Sequence, residues 1–253
     1  MARELLARRG TVDIGPPDPA RHAFFLDFDG TLVDIAARPS DVALDAGTTD
    51  LLRALKQASA GALSIVSGRP LDDIAALTAA IGSALVGTHG VEIRREDVRS
   101  AVSPKDQAVL DGVGRRLSEL ALTHGLLLEM KPGAVALHYR GRADLADLCQ
   151  DAVAEAARDA DLRILAGNMV CEAVLTGYDK GRAIKTLMAE APFRGRIPLM
   201  IGDDITDEDG FRAAQSMGGT GVSIGRPESC ARLVCPDRHW ALDWLREGLA
   251  RHA

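Results

Sequence analysis

At 253 residues with 47% apolar side chains, the chain can form one large domain or two small ones around a sizeable core. A net charge of −6 with no long basic run argues against a nucleic-acid binder, and no apolar stretch is long enough to span a membrane. Cys149, Cys171, Cys230 and Cys235 form neither a CxxC pair nor a zinc spacing, so they read as reduced, mostly packing residues of a cytoplasmic protein. The segment from Met1 to Arg9 is Arg-rich but lacks an apolar signal core, and Glu4 speaks against a transit peptide. Residues Gly15 to Pro19 carry three prolines and read as the end of a leader or linker over 1–20.

The first clear element is the apolar run Ala23 to Leu26, a strand buried on both faces. It runs into Asp27-Phe28-Asp29-Gly30-Thr31. If extended geometry persists, Asp27 and Asp29 project to the same side, and Gly30 permits a sharp turn after them. Leu51, Leu52, Leu55 and Ala58 follow helical spacing, with Asp50 near the start. Ala62 to Val66 is a second short apolar run, ended by Ser67-Gly68-Arg69-Pro70, and Pro70 suits the first turn of a helix carrying Leu71, Ile74, Leu77 and Ile81. Ala84 to Val86 is a third run, ended by Gly87-Thr88-His89-Gly90. Short strands alternating with helices predict a parallel sheet wrapped by helices, whose ligands bind beyond the carboxyl ends of the strands.

After about Ser103 the pattern changes. A helix from Pro104 to His124 precedes a hairpin of Leu126 to Lys131 and Ala134 to Arg140, turned at Pro132-Gly133. A second helix over Asp144 to Asp159 precedes strand-like runs at Leu162 to Leu165 and Met169 to Leu175. Helices covering one face of such a sheet make an α+β unit. The parallel pattern resumes with a helix from Asp179-Lys180-Gly181 to about Glu190, a strand Ile197 to Ile201, a helix Thr206 to Met217, a strand Gly221 to Ile224 and a closing helix Trp240 to Leu249. The fold class is therefore α/β: a Rossmann-like parallel-sheet core over 21–102 and 176–253, with an α+β domain inserted at 103–175.

The chemistry gathers at strand ends. Two hard oxygen ligands at Asp27 and Asp29 suit Mg²⁺, and one carboxylate can attack phosphorus while the other moves a proton. A calcium loop beginning at Asp27 would need its last ligand at Arg38, so that reading fails. Ser67, between a strand and a helix, offers a hydroxyl and neighbouring N–H groups to phosphoryl oxygens. Lys180 stands at a helix N-terminus, where positive charge is unfavourable unless an anion lies close by. Gly202-Asp203-Asp204-Ile205-Thr206-Asp207-Glu208 crowds acids just past a buried strand. Crowded carboxylates raise one another's pKa unless a cation intervenes, which points to Mg²⁺ with Asp203 as the first ligand and Asp207 as a supplementary one.

In order and placement, Asp27-x-Asp29, Ser67, Lys180 and Asp203 with its neighbours resemble the haloacid dehalogenase superfamily of phosphatases. The resemblance implies that Asp27 is the nucleophile and forms an aspartyl-phosphate, while Asp29 is the general acid and then the base. It implies that Asp27, the Asp29 backbone carbonyl and Asp203 hold Mg²⁺, and that Ser67 and Lys180 bind the transferring group. A narrower resemblance covers nearly the whole chain from Phe24. Ser67-Gly68-Arg69, Gly87-Thr88-His89-Gly90-x-Glu92, Lys131-Pro132, His138-Tyr139-Arg140 and Gly202-Asp203-Asp204-x-Thr206-Asp207-Glu208 are similar to the trehalose-6-phosphate phosphatases. That likeness implies Arg69, His89, Lys131, His138, Arg140 and Glu172 as substrate-binding residues, with the inserted domain acting as a cap over the sugar. Strand alternation sets His138 and Arg140 on one face and Tyr139 on the other, and Glu172 shares its face with Val170 and Val174. One departure is Gly167-Asn168-Met169-Val170-Cys171-Glu172, where the family usually carries lysine at the second position.

These readings imply a Mg²⁺-dependent monomer in the cytoplasm that hydrolyses trehalose 6-phosphate, the final step of trehalose biosynthesis, with no nucleic-acid or membrane partner. The alternatives are a phosphatase of another sugar phosphate, a phosphotransferase, or a phosphosugar sensor that does no chemistry. The intact Asp27/Asp29 pair argues against the sensor.

Overall fold

The computed structural model describes residues 14–35, 42–79, 81–96, 98–100, 102–167 and 169–252. The chain forms two compact units, one built from the chain up to Ser100 and again from Asp179, the other from Ala101–Tyr178.

The larger unit is a sheet of eight strands. In chain order its elements are β1 (His22–Leu26), α1 (Ala46–Ala58), β2 (Leu63–Val66), α2 (Leu71–Leu77), β3 (Ala84–Gly87), β4 (Glu92–Arg95) and β5 (Val98–Ser100). Within the smaller unit come α3 (Pro104–His124), β6 (Leu127–Lys131), β7 (Ala134–His138), α4 (Ala146–Ala157), β8 (Leu162–Gly167) and β9 (Val170–Leu175). The larger unit then resumes with α5 (Lys180–Met188), β10 (Ile197–Gly202), α6 (Glu208–Ser216), β11 (Thr220–Ile224), β12 (Leu233–Cys235) and α7 (Arg238–Arg251).

The large sheet runs β12-β11-β10-β1-β2-β3-β4-β5. Its first six strands are mutually parallel, and β4 and β5 add an antiparallel hairpin at one edge. The parallel strands are buried on both faces, as continuous apolar runs require. Alternation in β1 shows why. Phe24 and Leu26 join one core with Leu51, Leu52 and Leu55 of α1 and Trp244 and Leu245 of α7. Ala23 and Phe25 join another core, on Ala183, Ile184 and Leu187 of α5 and Phe211 of α6. Helices thus flank the sheet on both sides.

Register levels the strand ends. Leu26 pairs with Ile201 of β10 and with Ile65 of β2, and Val66 pairs with Val86 of β3. Asp27, Ser67, the 88–90 corner and Asp203 therefore all begin just beyond one edge of the sheet, where parallel strands from different chain segments finish together.

The smaller unit has an antiparallel sheet in the order β6-β7-β9-β8. Val135, Leu137, Cys171 and Ala173 face α3 and α4 and pack on Leu110, Val113, Leu117, Cys149 and Val153. The opposite face carries Glu129, Lys131, His138 and Glu172, in accord with the cross-strand pairs Glu129–Ala136 and Ala136–Glu172.

Several sequence expectations shift. The first helix starts a turn before Asp50, because Asp45 caps it through the Thr48 N–H at 2.8 Å. α2 stops at Leu77, and Ile81 is buried beyond it in a turn instead of on the helix. β7 ends at His138, so Arg140 lies in a turn and alternation does not carry to it. Strands β4, β5 and β12 were not anticipated; they are short, and β4 and β5 are rich in charge. All four cysteines are free thiols; Cys149, Cys171 and Cys235 are buried, while Cys230 is exposed. Among the described residues no helix is long and apolar enough to cross a membrane.

Candidate active site

The centre of the site is a buried cation among buried acids. α5 begins at Lys180, with Asp179 as its cap through the Arg182 N–H at 2.7 Å. Lys180 Nζ donates to Asp27 Oδ1 at 2.7 Å and to Asp207 Oδ1 at 2.5 Å. All three residues are at most 5% exposed. Burial alone would lower the Lys180 pKa, but the Asp27 and Asp207 carboxylates overcome it and hold the ammonium well above its usual range. Burial pushes the Asp27 carboxyl up to about 8; Lys180 opposes that rise and Asp207 adds to it.

Asp203 completes the group. It follows β10 directly, and a Cβ placed on Gly30 would stand 2.1 Å from its Oδ2. Glycine at 30, with φ of +80°, is thus what lets the turn after Asp29 pass beneath this carboxylate. Asp203 is pushed up to about 6 by burial and then by the charges of Asp207 and Asp204. Its Oδ1 is buried without a hydrogen-bond partner among the described residues. Carboxylate oxygens of Asp27, Asp203 and Asp207 lie within 4.8 Å of one another. An orphaned buried oxygen beside two further acids is a fitting place for a hard cation with oxygen ligands. Asp207 has less to offer than the other two, because its Oδ2 accepts from the Asp204 N–H at 3.0 Å while Oδ1 holds Lys180.

Asp29 stands apart from this cluster. Extended geometry stops at Leu26, and Phe28 lies in a bend, so Asp27 and Asp29 take different partners. Asp29 accepts two hydrogen bonds from Arg69, from Nε and Nη2, both at 2.6 Å. Arg69 also sits 5.6 Å over the buried Phe28 ring. Its backbone N–H donates to Ser67 Oγ at 3.1 Å. The Ser67 N–H is committed to Val86 O at 2.8 Å, so that amide is not available to a phosphoryl oxygen, whereas the hydroxyl proton is still free to donate. The His89 N–H donates to Ser67 O at 3.0 Å, and the His89 ring lies against Gly68, where a Cβ would come within 2.3 Å of it.

The other predicted substrate residues belong to the smaller unit. Lys131 Nζ bonds Glu172 Oε1 at 2.7 Å and lies 3.6 Å from Glu129 Oε2. His138 Nε2 is 2.8 Å from the same Glu129 oxygen. Arg140 is exposed and is not part of this group. Sequence reasoning missed Glu129; its position two residues before Lys131 on one strand was the available signal. The Asn168 expectation lies outside the described residues.

A parallel sheet with acids at its strand ends, a lysine buried among them and a second aspartate two residues after the first defines a phosphatase core of the haloacid dehalogenase type. A family model described as trehalose-phosphatase matches residues 25–231. The trehalose-6-phosphate phosphatase of Escherichia coli (strain K12) is 35% identical over 216 residues, covering 83% of this chain and 80% of the relative. A probable trehalose-phosphate phosphatase of Sinorhizobium fredii is 36% identical, covering 81% of this chain and 78% of the relative. Among solved structures, a trehalose-6-phosphate phosphatase related protein is 26% identical with a TM-score of 0.66, covering 90% of this chain and 97% of that one. The chain belongs to the trehalose-phosphatase family, and it is a phosphatase.

Proposed function

We propose that the protein hydrolyses trehalose 6-phosphate to trehalose and phosphate. The observation that carries this reading is the Asp27–Lys180–Asp207–Asp203 cluster at the ends of adjacent parallel strands, in a chain of this family. Asp27 attacks phosphorus and becomes an aspartyl-phosphate, which water then hydrolyses. Lys180, fixed by two carboxylates, supplies positive charge to the phosphoryl oxygens, and the Ser67 hydroxyl donates to them. Asp29 protonates the leaving sugar oxygen and later deprotonates water. To do so its carboxylate must exchange Arg69 for the reacting oxygen.

Mg²⁺ is the proposed cofactor, held by Asp27, Asp203 and the Asp29 backbone carbonyl, with Asp207 supplementary. When bound it would offset the crowded acids and polarise the phosphoryl group. The smaller unit is proposed to act as a cap, with Lys131, Glu172, His138 and Arg140 addressing the sugar, and Arg69 and His89 assisting from the larger unit. We take the protein to work as a cytoplasmic monomer on this small molecule, without a nucleic-acid or membrane partner.

The test is phosphate release from a panel of sugar phosphates with and without Mg²⁺. Preference for trehalose 6-phosphate, lost on chelation, is expected. Preference for a different sugar phosphate would move the substrate assignment. Label transfer to a sugar acceptor would make the enzyme a transferase.

A further inference from the structure

Thr88, His89 and Gly90 have φ of +47°, +55° and +108°. A β-branched residue rarely adopts this left-handed region, so something must hold Thr88 in it. Two backbone bonds contribute, from the Thr88 N–H to Arg69 O at 2.8 Å and from the His89 N–H to Ser67 O at 3.0 Å. The side-chain restraint is Glu92. It is 2% exposed, and among the described residues its three hydrogen-bond partners are donors: Thr88 Oγ1 at 2.8 Å and the Leu71 N–H at 3.2 Å on Oε2, and Arg99 Nη2 at 2.5 Å on Oε1. Three converging donors call for a carboxylate, which only accepts; an amide would turn its own N–H₂ toward one of them.

The corner touches, on two sides, the backbone that carries the proposed reacting groups. A Cβ on Gly90 would fall 2.2 Å from Asp179 O and 3.0 Å from Lys180 N, so backbone rests on backbone where α5 presents its lysine. His89 occupies the space over Gly68, between Ser67 and Arg69. We propose that Glu92 is a positioning residue of the phosphatase reaction: through Thr88 it holds the 88–90 corner, and the corner sets Lys180 and the Ser67–Arg69 loop. Glu92 does not itself touch substrate. This rests on the reading of Asp27 and Lys180 as the reacting site.

The test compares the wild type with Thr88→Val, Thr88→Ser, Glu92→Gln and the Thr88→Val/Glu92→Gln pair. Steady-state kinetics are measured with Mg²⁺ on trehalose 6-phosphate and p-nitrophenyl phosphate, and Tm is recorded beside each. Thr88→Val, which removes the hydroxyl alone, is expected to lower kcat about tenfold on both substrates, since small misplacements of reacting groups are costly. Thr88→Ser, which restores the hydroxyl, returns kcat to within about threefold of wild type, and the pair is no worse than about twofold beyond its worse member, because both changes break one link. Wild-type kcat in Thr88→Val, losses that multiply in the pair, or a loss that disappears well below the variant's Tm would each overturn the proposal. A wild-type protein inactive on every phosphate ester would instead remove the phosphatase reading, and the Glu92 proposal with it.

Discussion

Asp27 is buried and is proposed to react, and the two requirements pull apart. Burial works against its charge, and Lys180 at 2.7 Å opposes that effect only in part. Asp27→Asn keeps the shape and removes both the proposed nucleophile and an acid from a crowded site. Turnover is expected to fall by at least about 10⁴-fold, with Tm changed by no more than about 3 °C because relief of repulsion offsets the weakened lysine contact. Near-normal turnover of the purified variant would remove the covalent mechanism. Asp29→Asn is expected to cost about 10² to 10⁴ in rate while leaving Mg²⁺ affinity close to wild type, since only the backbone of Asp29 is proposed as a ligand. Calorimetric titration checks this, and a large loss of affinity would make the side chain a ligand. Asp27, Lys180, Asp203 and Asp207 were legible in the sequence because each sits where an apolar run or a helix cap fixes its place. The Asp29–Arg69 pairing was not, because it joins two loops 40 residues apart whose turns no local pattern specifies.

The antiparallel sheet of the smaller unit poses a question of cost against purpose. The Lys131–Glu172 pair is 34% and 23% exposed, and pairs in such settings contribute little to stability, about 0–1 kcal/mol. Glu129, Lys131, His138, Arg163 and Glu172 nevertheless share one face with Val170, Val174 and the exposed Leu127 and Leu165. Groups that stabilise so little suit a surface shaped for sugar hydroxyls. Glu172→Ala is expected to lower kcat/KM for trehalose 6-phosphate by roughly 10- to 100-fold, the range of a lost charged hydrogen bond at about 1.5–3 kcal/mol. Hydrolysis of an aryl phosphate should change little. An equal loss on both substrates would show that the residue supports folding or the core chemistry instead. Helix α3 was readable to the residue because Ser103, Pro104 and Gly125 mark its ends chemically, with Ser103 Oγ accepting from the Asp106 N–H and Gly125 at φ +64°. The β4–β5 hairpin was not, since Glu92-Ile93-Arg94-Arg95 shows neither an apolar run nor an alternation strong enough to read.

For the molecule as a whole, the acid cluster ties stability to pH and, through the proposed Mg²⁺, to metal. Asp27 and Asp203 are raised from 3.8 to about 8 and about 6, in both cases chiefly by burial. A carboxyl raised in the folded state keeps its proton where the unfolded chain has already released it. The metal-free protein therefore has this stability in full below about pH 4 and loses it progressively as pH rises through 6 and toward 8. Metal binding reverses the preference, because the ligands must be deprotonated and the cation stabilises the charged form. The rise in Tm produced by saturating Mg²⁺ over chelator is thus expected to grow from pH 5.5 to pH 8. Asp203→Asn should remove most of that rise, and at pH 8 the metal-free variant should be as stable as the metal-free wild type or more so, having lost one charge that Asp207 and Asp204 repel. Thermal melts of both proteins at pH 5.5, 7 and 8, with Mg²⁺ and with chelator, decide the matter. A Mg²⁺-induced rise that stays flat across this range, or an Asp203→Asn protein that keeps it, would mean that these buried carboxylates are not what couples the metal to the fold.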